Sequence, residues 1–259
     1  MISFTDPQLQ AWLALLIWPL ARILGVFMTA PFFSDQAIPM QVKLLLGTFI
    51  ALAIAPTLGP LPDVTVGSWA GLAILMREVA IGSALGLILQ ILFGAVSLAG
   101  ELAGTGMGLG FSTLYDPTSA SSTTSLTAVL TTLAALVFFA IDGHLALIGT
   151  LAQTFQTLPI AAGGLKLAGI HQLAAYGGVL CMHGLVLGLP ITMTLIIVNI
   201  ALGMLSRAAP QLNIFSIGFP VTLGAGLLML TLGMPEWLRG FDALWGVAIS
   251  AVARAAASL

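Results

Sequence analysis

Four ionisable residues, Arg22, Arg77, Glu78 and Glu101, lie within or at the ends of otherwise apolar stretches. A charge near the centre of a bilayer costs at least ~2.5–3.5 kcal/mol, so each needs a reason to be there. Two chemistries fit: a proton or ion relay, or ion pairing that holds helices together. Arg77 and Glu78 are adjacent, so on a helix they point roughly 100° apart and do not face each other directly. Each then needs its own partner, and Arg22 with Glu78 or with Glu101 is the cross-helix pair that charge suggests. A relay would normally show more carboxylates or histidines along one face, which favours ion pairing.

The remaining candidates for chemistry are weaker. Cys181 and His183 are two apart, so on a helix they sit about 200° apart and cannot share one ion. His171 does not repair that spacing, and no metal site is expected. His144 beside Asp142 fits a capping or interface role. Gly104, Gly106, Gly108 and Gly110 alternate as in a phosphate loop, but no βαβ unit and no Gly-Lys-Ser/Thr pattern accompany them. No Ser-His-Asp or Cys-His arrangement can be argued. The chain is therefore expected to be non-enzymatic and to carry no cofactor.

The elements that must position these residues follow from composition. Of 259 residues, seven are Lys or Arg, nine are Asp or Glu, and 59% are hydrophobic. Mean hydropathy is +1.12. No water-soluble domain of this size could cover its surface with so few charges. The expected fold class is an all-α membrane protein of about six long, partly broken hydrophobic helices, each needing roughly 20 residues to span. A net charge of −2 without a basic tract argues against nucleic acid as a partner. The one cysteine excludes an internal disulfide. Residues 1–10 hold no Lys or Arg, so residues 9–30 read as a retained first span rather than a cleaved signal.

Charge-free intervals and turn residues set the expected boundaries. The first helix covers about 9–30, interrupted by Pro19 and Arg22. The second covers about 42–58. The third runs from Trp69 to Gly100 and exceeds what the hydrocarbon layer needs. Residues 104–125, GTGMGLGFSTLYDPTSASSTTS, read as a loop, because alternating glycines, Asp-Pro and a Ser/Thr run break helices. A fourth helix covers 126–141 and a short one 144–159. Residues 170–205 form a long helix containing Pro190, 206–215 a polar turn, 219–234 another helix, and a separate Ala-rich helix carries Arg254. Basic loops at Lys43 and Arg207 mark the cytoplasmic side and leave both termini outside. Gly82-x-x-x-Gly86, Gly100-x-x-x-Gly104 and Gly184-x-x-x-Gly188 permit close helix contacts and point to assembly with other helices.

The stretch Asn199–Pro220, NIALGMLSRAAPQLNIFSIGFP, resembles the FliR family, the flagellar export-gate proteins of bacterial type III secretion, called SctT in injectisomes. Supporting pieces are RILGVFMTAPF from Arg22, IPMQVK from Ile38, Glu101-Leu-Ala-Gly104 before the glycine-rich run, and Asp142-Gly-His144. The resemblance covers nearly the whole chain, and NIFSIGFP looks more flagellar than injectisome-like. It implies one copy joined with several FliP-like and FliQ-like subunits, and with an FlhB-like subunit, into a narrow channel for unfolded exported proteins. That channel sits in the inner membrane within the flagellar basal body. It implies an N-terminal FliP-like part, residues 1–165, and a C-terminal FliQ-like hairpin and final helix, residues 166–259. It also implies that 104–125 is a pore plug. Met107, Leu109, Phe111 and Leu114 would close the pore, and Gly104, Gly106, Gly108 and Gly110 would let that closure move aside. Arg207, Pro210, Gln211, Asn213 and Phe215 would shape a hairpin turn at the cytoplasmic entrance. The competing readings are a secondary transporter of small solutes, with a midplane site of broken helices and ionisable groups, and a scaffold that nucleates assembly.

Overall fold

The computed structural model describes residues 6–35, 37–110, 124–161, 167–209 and 214–258. The described residues are helical apart from turns and connections. In chain order the helices are α1 (Asp6–Thr29), α2 (Met40–Ile54), a short 3-10 turn (Ala55–Thr57), α3 (Trp69–Gly106), α4 (Ser125–Ala140), α5 (Gly143–Thr157), α6 (Leu167–Ala208) and α7 (Ile214–Ser258). Five are long and apolar enough to cross a membrane, or six spans if α4 and α5 are counted as one broken span. At ~1.5 Å per residue, α3, α6 and α7 reach about 57, 63 and 68 Å, against a hydrocarbon layer of about 30 Å.

Local sequence sets several boundaries. Ser68 caps α3, its hydroxyl accepting from the Gly71 amide at 3.1 Å. Thr124 caps α4 in the same way through the Thr127 amide. The α4–α5 break falls at Ile141–Asp142, where Asp142 has φ 55°, a conformation asparagine and aspartate tolerate best among residues with a Cβ.

The described residues divide into two compact units. One comprises Met1–Ile91, His144–Gly178 and Ala248–Leu259; the other comprises Leu92–Gly143 and Val179–Val247.

In the first unit α1 lies directly on α3. Trp18, Arg22, Ile23 and Val26 of α1 are buried, as are Ile74, Glu78, Ile81, Leu85 and Ile88 of α3, one stripe at three- and four-residue spacing. Gly82 and Gly86 make this possible. A Cβ on Gly82 would run into the backbone carbonyl of Arg22, and one on Gly86 into Thr29 and the Val26 carbonyl. α2 buries Gly47, Ile50, Ala51 and Ile54 and leaves Val42, Leu45, Phe49 and Leu52 exposed.

In the second unit Phe93, Phe138, Phe241 and Trp245 form an edge-to-face cluster with centroids 5.0–6.1 Å apart. Gly184 and Gly188 of α6 abut Ala95 and Ala99 of α3, and Gly100 and Gly104 abut Thr127 and Thr124. All three four-spaced glycine pairs thus sit at close helix contacts. Burial is uneven: 56% of the most apolar window of α3 is buried, but only 17% of those of α2, α6 and α7. The faces left open are large apolar side chains such as Val186, Ile197, Ile200, Leu228 and Leu232. They require lipid or other helices.

Three expected boundaries are corrected. Pro19 and Arg22 do not interrupt α1, because Arg22 is fully satisfied inside the fold. Pro235 and the charges after it do not end a helix, and α7 runs unbroken for 45 residues. Glu236 and Arg239 pair at 2.7 Å on that helix, both well exposed, so they occupy its surface rather than a turn. The glycine-rich stretch begins as helix: α3 continues through Gly104 to Gly106. The remainder of that expected loop, 111–123, lies outside the described residues.

Candidate functional site

The first arrangement is a buried charge cluster in the first unit. Arg22 comes from α1, Arg77 and Glu78 from α3, and their other partners from α5 and the residues after it. The Arg22 Nε donates to Glu78 Oε2 at 2.6 Å, and both side chains are inaccessible. Its Nη1 donates to the Thr154 hydroxyl at 3.2 Å and its Nη2 to the Leu158 carbonyl at 2.9 Å. The Phe155 ring centroid lies 4.1 Å from the guanidinium carbon. Arg77 Nη1 reaches Glu78 Oε1 at 3.2 Å and the carbonyls of Pro159 and Ala161 at 3.3 and 3.4 Å.

The cluster corrects one expectation about neighbours in sequence. Arg77 and Glu78 do touch, because a long arginine side chain can curl across the 100° that separates their Cα–Cβ bonds. Two arginines share one carboxylate, and carbonyls just beyond the end of α5, the negative end of that helix, face the second positive charge. Glu78 has both oxygens committed to guanidinium groups. The geometry is that of a buried ion pair.

Glu101 is elsewhere, in the second unit, and is not a partner of Arg22. Its Oε2 accepts from the Thr124 amide at 3.1 Å and from the Thr127 hydroxyl at 3.0 Å. One carboxylate thereby ties the end of α3 to the start of α4, where helix amides are short of partners.

The end of α3 carries the other candidate residues. The Leu109 amide donates to the Gly104 carbonyl at 2.9 Å, and the Gly108 amide to the Thr105 carbonyl at 3.0 Å. Gly108 has φ 86°. This pair of bonds with a left-handed glycine is a Schellman cap. Gly104 serves close approach to Thr124, and Gly108 serves termination. Met107 is fully buried, against the notch left by Gly226 of α7. The Thr222 hydroxyl can donate to the Met107 carbonyl at 3.1 Å, and Asn199 Nδ2 donates to the Gly106 carbonyl at 3.2 Å. Leu109 and Gly110 are half-buried, whereas Phe111 and Leu114 lie outside the described residues. Arg207 is exposed in the last turn of α6, where a cation complements the helix end. Pro210, Gln211 and Asn213 are outside the described residues, and Phe215 is described only as helical backbone.

Thr154, Phe155, Thr124, Thr127, Asn199, Thr222 and Gly226 escape the sequence reading. Asn199 did carry a signal, being an amide in an apolar run that must find a partner. The threonines did not, since on a helix they can equally bond back to their own carbonyls.

A sequence model of the bacterial export proteins, family 1, matches residues 13–247. Flagellar biosynthetic protein FliR of Pectobacterium carotovorum subsp. carotovorum is 43% identical over 235 residues, covering 91% of this chain and 90% of that protein. The protein of the same name from Escherichia coli (strain K12) gives the same identity and coverage. That of Aquifex aeolicus (strain VF5) is 27% identical over 87% of each chain. The chain therefore belongs to the bacterial export proteins, family 1.

Proposed function

We propose that the chain is a non-enzymatic membrane subunit of the flagellar type III protein export gate. The observation that carries this reading is 43% identity across 91% of the chain to proteins named for flagellar biosynthesis. The apolar faces of α2, α6 and α7 are consistent with it, since a subunit completed by neighbours has such faces. FliP-like and FliQ-like subunits would cover them, with residues 1–165 corresponding to the former and 166–259 to the latter. An FlhB-like subunit would associate with the closed assembly. The location is the inner membrane, within the flagellar basal body, and the substrates are unfolded exported proteins.

In this reading residues 104–125 help seal the channel, and the turn around Arg207–Phe215 lies at the cytoplasmic entrance. An apolar constriction blocks ions by dewetting. Met107 has its side chain spent on the Gly226 notch. We therefore assign it to holding the segment, and leave closure to the residues after it. The test is deletion of residues 106–112 in the whole complex. Ion leakage across membranes holding that complex should rise when normalised to the amount of assembled complex by native mass measurement. A tight membrane after deletion overturns the sealing role. A chain that purifies alone in mild detergent and carries a small solute would favour a transporter instead.

A further inference from the structure

We infer that the groove between α6 and α7 holds one zwitterionic phospholipid of the phosphatidylethanolamine type, its acyl chain in the groove and its headgroup on the Glu236–Arg239 pair. The inference goes beyond the export role and needs only that the chain lies in a membrane. Every residue it uses belongs to the second compact unit.

The groove is a cavity of about 380 Å³, walled mainly by Val186, Leu187 and Ile191 of α6 and by Met229, Leu230 and Trp237 of α7. That volume is in the range of small-molecule sites. A neighbouring helix is ~10 Å across, so one laid over the groove would roof it without filling it. An acyl chain is slender enough to enter.

One polar group in the wall needs an acceptor. Trp237 is 5% exposed, and its indole Nε1–H is buried without a hydrogen-bond partner. The ring is held in place by stacking on the fully buried Phe241, with centroids 6.0 Å apart. A buried donor left unpaired is destabilising. The ester carbonyl at the head of an acyl chain is an acceptor joined to an apolar body, which is what this wall calls for.

Depth and charge agree with that occupant. From Ile214 to Pro235 α7 carries no charge; these 22 residues span about 33 Å at ~1.5 Å each, close to one hydrocarbon thickness. Glu236 and Arg239 follow directly. On α6 the interval from Gly184 to Ser206 is also charge-free, and His183 lines the same groove as Glu236. The two helices meet at this level, where a Cβ on Gly240 would run into Leu187. Headgroups and ester groups sit at such a boundary, and tryptophan favours it. Glu236 Oε1 and Arg239 Nη1 pair at 2.7 Å, both well exposed. Glu236 Oε2 is left for an ammonium group, and the rest of the guanidinium for a phosphate. Asp242, also exposed, brings the local charge to −1 and disfavours an anionic headgroup.

The experiment uses the assembled complex in liposomes containing phosphatidylethanolamine with a photoreactive diazirine in its acyl chain. Labelled residues are mapped by mass spectrometry and normalised to assembled complex. Label should concentrate on Val186, Leu187, Met229 and Leu230 rather than on the outward Ile197 and Ile200. Gly233→Leu fills the groove, and a Cβ there meets nothing within 4 Å, so the helices need not move. It should lower groove labelling roughly tenfold. Trp237→Phe keeps a ring and deletes the N–H, and should lower labelling roughly fivefold, the equivalent of about 1 kcal/mol. Unlabelled phosphatidylethanolamine should compete several-fold better than phosphatidylglycerol, and Glu236→Gln should narrow that difference. Labelling unchanged by Gly233→Leu or by Trp237→Phe, or spread equally to Ile197 and Ile200, would mean general contact with the bilayer and end the inference. So would capture of another subunit by a photoreactive side chain at Met229, which would put protein in the groove. Equal competition by phosphatidylglycerol would overturn the headgroup assignment. None of these outcomes bears on the export role, which deletion of 106–112 tests separately.

Discussion

Arg22→Ala should sharply reduce the amount of assembled complex, because it strips Glu78 of its closest counter-charge in a site without water access. Removing one member of a buried ion pair costs about 3–5 kcal/mol, most of it from the charge left behind. Glu78→Ala should be at least as damaging, since two arginines would then face each other with only carbonyls and the Thr154 hydroxyl to satisfy them. The informative variant is the double replacement Arg22→Met with Glu78→Leu. Apolar residues of similar volume often replace a buried pair with little loss, and Arg77 keeps the carbonyls of Pro159 and Ala161. Assembly should therefore recover beyond either single variant, and export with it. A double variant that assembles fully yet exports nothing would mean that the pair moves charge, and the ion-pairing interpretation would fall. Native mass measurement and secretion assays read the two outcomes separately.

The second large effect is expected at Gly82. Gly82→Ala puts a methyl group into the backbone of Arg22 rather than against a side chain that could turn away. The helices must separate, at the upper end of the ~1–3 kcal/mol that overpacking usually costs. That separation also pulls Arg22 from Glu78, so the two losses are coupled rather than additive. Gly94→Ala on the same helix is the control. A Cβ there meets nothing within 4 Å, and alanine favours helix over glycine by about 1 kcal/mol. Thermal unfolding in detergent should place Gly82→Ala well below the parent and Gly94→Ala level with it or above. Equal behaviour of the two would refute the close α1–α3 contact.

The helical membrane architecture was legible in the sequence because lipid-compatible composition leaves few alternatives. Charges and prolines were less reliable as boundaries. Pro235 and Glu236 look like a stop, but membrane helices accommodate proline where neighbouring groups and local adjustments re-satisfy the freed carbonyl, and Glu236 pairs with Arg239 on the helix surface. The alternating glycines look like one flexible loop, yet Gly104 is there for Thr124 and Gly108 for a left-handed turn. Residue type says that a glycine is needed, and only the neighbouring backbone says why. Arg22 with Glu78 was one of two pairs that charge allowed, and the choice required knowing which helix lies on α1. Asn199 could have been singled out as an isolated amide. Thr222 and Gly226 could not, because their role exists only when α7 passes the end of α3.

The sparse burial of α6 and α7 also has a consequence for the cell. An unassembled copy would carry two helices far longer than a bilayer is thick, with most of their greasy surface unclaimed. Such an orphan is a natural substrate for membrane proteases. On the proposed function, its lifetime would report the supply of the proposed FliP-like and FliQ-like subunits, and its abundance should fall when either is deleted, even with its own transcription held constant.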